Sequence, residues 1–120
     1  MKSKVLLIES DATLAKRLTA LLRQSRFHCD HCLSLAEALE RLGQGAYEAA
    51  VLDLDLAGLE PEAASRKLRD GHPSLLLIGL DSMAEHRLGD GDLTAFDALI
   101  PKPFVADALL EALAPSPRTT

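Results

Sequence analysis

Three short apolar runs in this 120-residue chain carry no polar alternation: Val5-Leu6-Leu7-Ile8, Ala49-Ala50-Val51-Leu52 and Leu75-Leu76-Leu77-Ile78, the last extending towards Leu80. A strand with one wet face alternates apolar and polar side chains, whereas a strand covered on both faces does not. The runs therefore call for a sheet buried on both sides. Two of them end in acid: Ile8 is followed by Glu9-Ser10-Asp11, and Leu52 by Asp53. An ionised carboxylate is costly inside a core, so it has to leave at the strand's end. In open parallel sheets the carboxyl ends of the strands are where ligands bind. Glu9, Asp11 and Asp53 are thus directed towards one edge of the sheet.

The segments between the runs read as helices. Asp11 or Ser10 can cap a first helix, whose apolar face is Leu14, Leu18, Leu21 and Leu22. Phe27–Cys32 reads as a weaker strand nearer an edge. Ser34-Leu35-Ala36-Glu37 is a capping box that opens a second helix through Leu42, with Gly43 as its stop. Pro61 starts a third helix to about Asp70, broken by Gly71-His72-Pro73. Residues 82–95 fit either a short helix at 83–88 or a loop, because Gly89-Asp90-Gly91-Asp92 interrupts the pattern. Ala98-Leu99-Ile100 is a fifth strand, Pro101-Lys102-Pro103 a stiff turn, and Phe104–Leu113 a last helix. Strand and helix alternate throughout, which predicts an α/β fold: a doubly wound, five-stranded parallel sheet with helices on both faces.

Composition narrows the class. The length fits one domain, residues 1–114, with Pro115–Thr120 as a tail or linker stub. A net charge of −5 with interspersed signs argues against a direct grip on nucleic acid, which needs a basic face. No run approaches the roughly 20 apolar residues of a membrane span, and Glu9 ends the first run too early for a signal peptide. A cytoplasmic domain is expected. The His28-Cys29-Asp30-His31-Cys32 stretch invites a metal or redox reading. Residues three apart on a strand face opposite sides, however, so two free thiols on a short second strand is the plainer reading.

The acids and Lys102 form a constellation. Carboxylates held close repel, and a divalent cation or an ammonium relieves the repulsion. An aspartate in such a place can accept a phosphoryl group, with the cation and lysine neutralising charge on the transferred oxygens. At this point the chain resembles the receiver domain of bacterial two-component response regulators. Three stretches carry the resemblance: Lys4 to Asp11; Tyr47 to Gly58, including Leu52-Asp53-Leu54-Asp55; and Leu99-Ile100-Pro101-Lys102-Pro103-Phe104. It implies the flavodoxin-like strand order 2-1-3-4-5. It makes Asp53 the phospho-acceptor, served by a histidine kinase, and Lys102 its partner. Glu9, Asp53 and the backbone of Asp55 would face Mg2+. Pro103 matches a proline that usually follows a cis peptide.

The departures point elsewhere. Ser10 stands where the family has the second acid of its metal-binding pair, so Mg2+ binding is expected to be weak or absent. The hydroxyl position after strand four falls on Gly79 or Asp81, and Ser82 supplies a hydroxyl only in a slipped register. The switch aromatic falls on Leu99. Glu9-Ser10-Asp11, Ile78-Gly79 and Ala84-Glu85-His86-Arg87 are also similar to the atypical receivers of the myxobacterial FrzS type. The expectation is a pseudo-receiver, not an enzyme, with weak or no phosphorylation control. Retained Asp53 and Lys102 would then form a buried ion pair that mimics one fixed signalling state. Its partners would be proteins, an output domain or kinase among them. They would bind the face that receivers build from their fourth helix, fifth strand and fifth helix, with His86, Arg87, Phe104, Val105 and Leu109 as contacts. A homodimer through that face is a further expectation. The alternative is a working Mg2+-dependent phospho-acceptor. Val51-Leu52-Asp53-Leu54-Asp55 also resembles the D-x-D motif of haloacid dehalogenase-type phosphatases, but that family carries it on its first strand and in a longer chain.

Overall fold

The computed structural model describes residues 3–56, 58–82, 95–104 and 106–113. Five strands, β1 (Lys4–Ile8), β2 (His28–Cys32), β3 (Ala49–Asp53), β4 (Leu76–Asp81) and β5 (Ala98–Pro101), alternate with helices α1 (Ala12–Gln24), α2 (Leu35–Gln44), α3 (Pro61–Gly71) and α4 (Ala106–Leu113). The strands form one parallel sheet in the order β2-β1-β3-β4-β5, the expected 2-1-3-4-5. The weaker strand, β2, is at an edge. The expected short helix at 83–88 and the tail at 115–120 lie outside the described residues.

Local chemistry sets the helix ends. The Asp11 carboxylate accepts from the N–H groups of Thr13 (2.9 Å) and Leu14 (3.2 Å), capping α1. Ser34 Oγ accepts from Glu37 N at 3.2 Å, while Glu37 reaches back to Leu33 N at 2.9 Å, one residue before the cap. Gly43 does not stop α2. The helix runs to Gln44, and Gly45 N closes it on the Arg41 carbonyl. Pro61 opens α3, where its missing N–H costs nothing. The last helix begins at Ala106, after the Lys102–Pro103 cis peptide, and not at Phe104.

The sheet separates two apolar layers. Leu6, Ile8, Leu52, Leu54 and Leu77 pack with Ala38, Leu42, Ala64 and Leu68 of α2 and α3. Val5, Leu7, Val51, Leu80 and Ile100 pack with Ala15, Leu18 and Leu22 of α1 and Leu109 and Leu113 of α4. Cys29 belongs to the second layer and Cys32 to the first, so the sheet stands between the thiols. Burial pushes both upward, Cys32 to about 11. Arg69 of α3 braces the far edge by donating to the Ala95 carbonyl (2.7 Å) and to Asp97 Oδ2 (3.0 Å). The same oxygen accepts from Leu77 N at 2.8 Å, which fixes the entry to β5 and hence the position of Lys102.

Candidate functional site

Register brings the expected acids together. Ile8 pairs with Leu52, so Glu9 and Asp53 leave neighbouring strands at the same level. Leu7 and Val51, two residues earlier, share a layer, so by strand alternation Glu9 and Asp53 share a face. Ile100 lies in that layer too, which places Lys102 on the same side. Lys102 Nζ sits 2.8 Å from Asp53 Oδ1 and 3.2 Å from Asp55 Oδ2. Asp53 is 4% exposed and Glu9 1% exposed, so both carboxylates are effectively out of bulk water.

Glu9 is the more isolated of the two. Its Oε2 accepts from Asp11 N at 3.1 Å, and its buried Oε1 has no hydrogen-bond partner. Burial, and then the neighbouring Asp53 carboxyl, push the Glu9 carboxyl up to about 7. Burial, the largest single cause, pulls the Lys102 ammonium down, but the hydrogen bonds it donates to Asp53 and Asp55, with the charges of Asp53 and Glu9, outweigh burial and raise it. At Asp55 burial opposes ionisation, but hydrogen bonds from Ser82 and Lys102 outweigh it and hold the carboxyl below its ordinary value.

Asp55 is the residue that sequence reasoning undervalued. Only its backbone was expected at the site, yet its side chain joins three chain segments. Oδ2 meets Lys102 Nζ and accepts from Ser82 N at 3.2 Å, while Oδ1 accepts from Ser82 Oγ at 2.8 Å. Asp55 N in turn donates to Asp53 Oδ1 at 3.0 Å. The signal available in the sequence was a second acid two residues after Asp53, in a loop too short to carry it far away.

The other expected positions separate. Ser10 is exposed, and Asp11 is occupied in capping α1. Gly79 is not at the pocket but in the interior of β4, beside Leu52 and Leu99. A Cβ there would lie 2.8 Å from Leu99 Cδ2, so the glycine answers to packing. Asp81 ends β4 fully buried, next to Pro101, with its carbonyl accepting from Lys102 N at 3.2 Å. By alternation it shares the Gly79 face, opposite that of Lys102. Ser82 follows directly and brings a hydroxyl to the pocket without any slip of β4. Leu99 is half-buried against the first layer. Of the expected partner contacts, Leu109 is fully buried on the inner face of α4 and cannot meet a partner. Phe104 is half-buried against the same layer, and His86, Arg87 and Val105 lie outside the described residues.

The donor set falls short of a ready divalent-cation cage. Glu9 Oε1 is an orphaned oxygen suited to a cation, but Lys102 holds Asp53 Oδ1, and Ser10 adds no charge. Among the described residues no three His, Cys, Asp or Glu side chains are grouped as metal ligands. Magnesium demands near-octahedral oxygen ligation with anionic donors. The D-x-D pair starts at the end of the third strand, with its second aspartate in the following turn and tied to Lys102 and Ser82.

No family model matches the chain. Curated relatives do. The chain is 26% identical to the regulatory protein VanRB of Enterococcus faecalis over 92% of its own length and 50% of the relative's. It is 31% identical to the transcriptional regulatory protein CutR of Streptomyces coelicolor over 89% of the chain and 50% of CutR. The chain therefore spans about half the length of these relatives. Among solved structures, the response regulator TrrA of Thermotoga maritima, in complex with Mg2+ and beryllofluoride, superposes with a TM-score of 0.82 at 23% identity, covering 92% of this chain and 95% of that one. At that identity the likeness is one of fold. Sheet order and superposition give the chain the fold of response-regulator receiver domains, and its sequence is similar over nearly its whole length to about half of each of these regulatory proteins. No helix among the described residues is long and apolar enough to cross a membrane.

Proposed function

We propose that this receiver is an atypical, FrzS-like pseudo-receiver: a cytoplasmic protein-interaction module with weak or no phosphorylation control, and not an enzyme. The observation that carries the reading is the Lys102 ammonium on both Asp53 and Asp55, at 2.8 and 3.2 Å. The one ammonium already occupies an oxygen of each aspartate that a cation would otherwise take. Ser10 in place of an acid supports the same reading. A pair so enclosed is not reliably stabilising, and its role is to hold one conformation. Partners would be an output domain or a kinase, meeting the face formed by β5 and the exposed side of α4.

A second reading, a Mg2+-dependent phospho-acceptor at Asp53 served by a histidine kinase, is favoured by one observation. The unpartnered Oε1 of Glu9 lies beside Asp53, where a cation would satisfy it. The Mg2+–beryllofluoride complex of TrrA supplies the precedent in the fold. A magnesium titration followed by beryllofluoride, watched by amide NMR, separates the two. The pseudo-receiver predicts a flat response at millimolar Mg2+. Saturable shifts at Glu9 and Asp53 that spread to Leu99 would overturn it in favour of the second reading.

A further inference from the structure

We infer that Asp55 is a selectivity latch: its carboxylate occupies the two groups, the Lys102 ammonium and the Ser82 hydroxyl, that would otherwise receive an anion at Asp53. The inference rests on the reading of the pocket as a receiver's phosphoryl site and names what regulates it.

The argument is geometric. Asp55 leaves the carboxyl end of β3 in a tight turn, with its own N–H on Asp53 Oδ1 at 3.0 Å. From there its carboxylate uses both oxygens. Oδ1 takes the Ser82 hydroxyl (2.8 Å), and Oδ2 takes the Ser82 amide and Lys102 Nζ, each at 3.2 Å. One side chain thereby ties together the loops that follow β3, β4 and β5. An incoming tetrahedral anion needs donors; among the described residues the Ser82 hydroxyl and amide are aimed at Asp55, and the Lys102 ammonium is shared between Asp55 and Asp53. Charge acts in the same direction. Two carboxylates, Asp53 and Asp55, face one ammonium with the Glu9 carboxyl beside them, so the pocket disfavours anions until one carboxylate is neutralised or displaced. Asp55 is half-exposed while Asp53 is enclosed, so it is the member that can swing out to solvent. The latch is therefore the movable part, and Asp53 and Lys102 the fixed part.

The test compares beryllofluoride binding, in the presence of Mg2+, by the full chain and its Asp55→Ala variant, read as amide shifts at Asp53 and Lys102. Release of the latch predicts binding at least about tenfold tighter in the variant, the equivalent of one charge-assisted hydrogen bond returned to the ligand. Asp55→Asn, which keeps an acceptor for Ser82 but loses the charge on Lys102, should fall between the two. If Asp55→Ala does not retain the wild-type amide pattern away from the pocket, Asp55→Asn carries the comparison alone. Equal affinities, weaker binding by the variants, or no binding by any form overturn the inference. The pseudo-receiver reading is judged separately, by the wild-type response. A saturable wild-type response refutes that reading and leaves the ratio between variant and wild type to decide the latch.

Discussion

Gly79→Ala tests whether residue 79 serves packing or ligand binding. An added Cβ would stand 2.8 Å from Leu99 Cδ2, 3.1 Å from Leu54 Cδ1 and 3.3 Å from Phe96 Cδ1. Overfilling a packed core costs about 1–3 kcal/mol. Leu54 and Phe96 are buried and have little room to move, but Leu99 is half-buried and can tilt outward, which keeps the cost in the lower half of that range. Replacing glycine by alanine returns about 0.4–1 kcal/mol by restricting the unfolded chain. The net expectation is a loss of about 1 kcal/mol, a fall in melting temperature of roughly 3–6 °C for a domain of this size. Urea unfolding gives the free energy, and Leu99→Ala completes a double-mutant cycle. Truncating Leu99 should cost about 1 kcal/mol less in the Gly79→Ala background than in the wild type, because the clash has gone. A neutral or stabilising Gly79→Ala, or strictly additive effects, would refute the packing argument and return residue 79 to the site.

Two further outcomes follow from the pocket. Lys102→Met leaves Asp53 enclosed without its cation and should destabilise the domain by about 2–4 kcal/mol, below the extreme for a fully buried pair because Lys102 is 21% exposed. Adding Asp53→Asn should recover part of that loss in urea unfolding, and a double mutant as unstable as Lys102→Met would show that the pair is not what Lys102 supports. The second concerns pH, in a buffer with a chelator. The unfolded chain releases the Glu9 proton near 4.5, whereas the folded chain holds it to about 7. Between those values the folded state carries the extra proton, so this group's contribution to stability is full below 4.5 and falls as pH rises through 7, by up to roughly 3 kcal/mol. Glu9→Gln should flatten that slope in melts between pH 4.5 and 7.5, and an unchanged slope would exclude Glu9 as its source.

The sequence was sufficient for the fold because its signals are local and redundant. Unalternating runs such as Ala49–Leu52 are stable only when covered on both faces. The capping groups Asp11 and Ser34 start helices through bonds within a few residues, and each punctuating turn agrees with its neighbours. Helix ends were less legible. Gly43 looked like a stop, but nothing within 4 Å opposes a side chain there and α2 simply continues past it. Glu9, Asp53 and Lys102 were also legible, because a charge at the end of a buried strand has one exit.

The roles of the positions around them were not legible, because register across the sheet and the direction of side chains decide those. Gly79 and Asp81 were equal candidates along the chain; pairing of Gly79 with Leu99 and of Asp81 with Pro101 put one inside the core and the other at the edge. Leu109 was an expected contact on the face implied by the receiver resemblance, and the turn of α4 aimed it at the sheet. Asp55 was a loop acid in the sequence. Only the tertiary fold brings Lys102, 47 positions later, and Ser82, 27 positions later, to its two oxygens. The sequence could therefore name the charges that had to leave the core, whereas which of them meet, and which one closes over the others, depended on contacts between strands that are far apart along the chain.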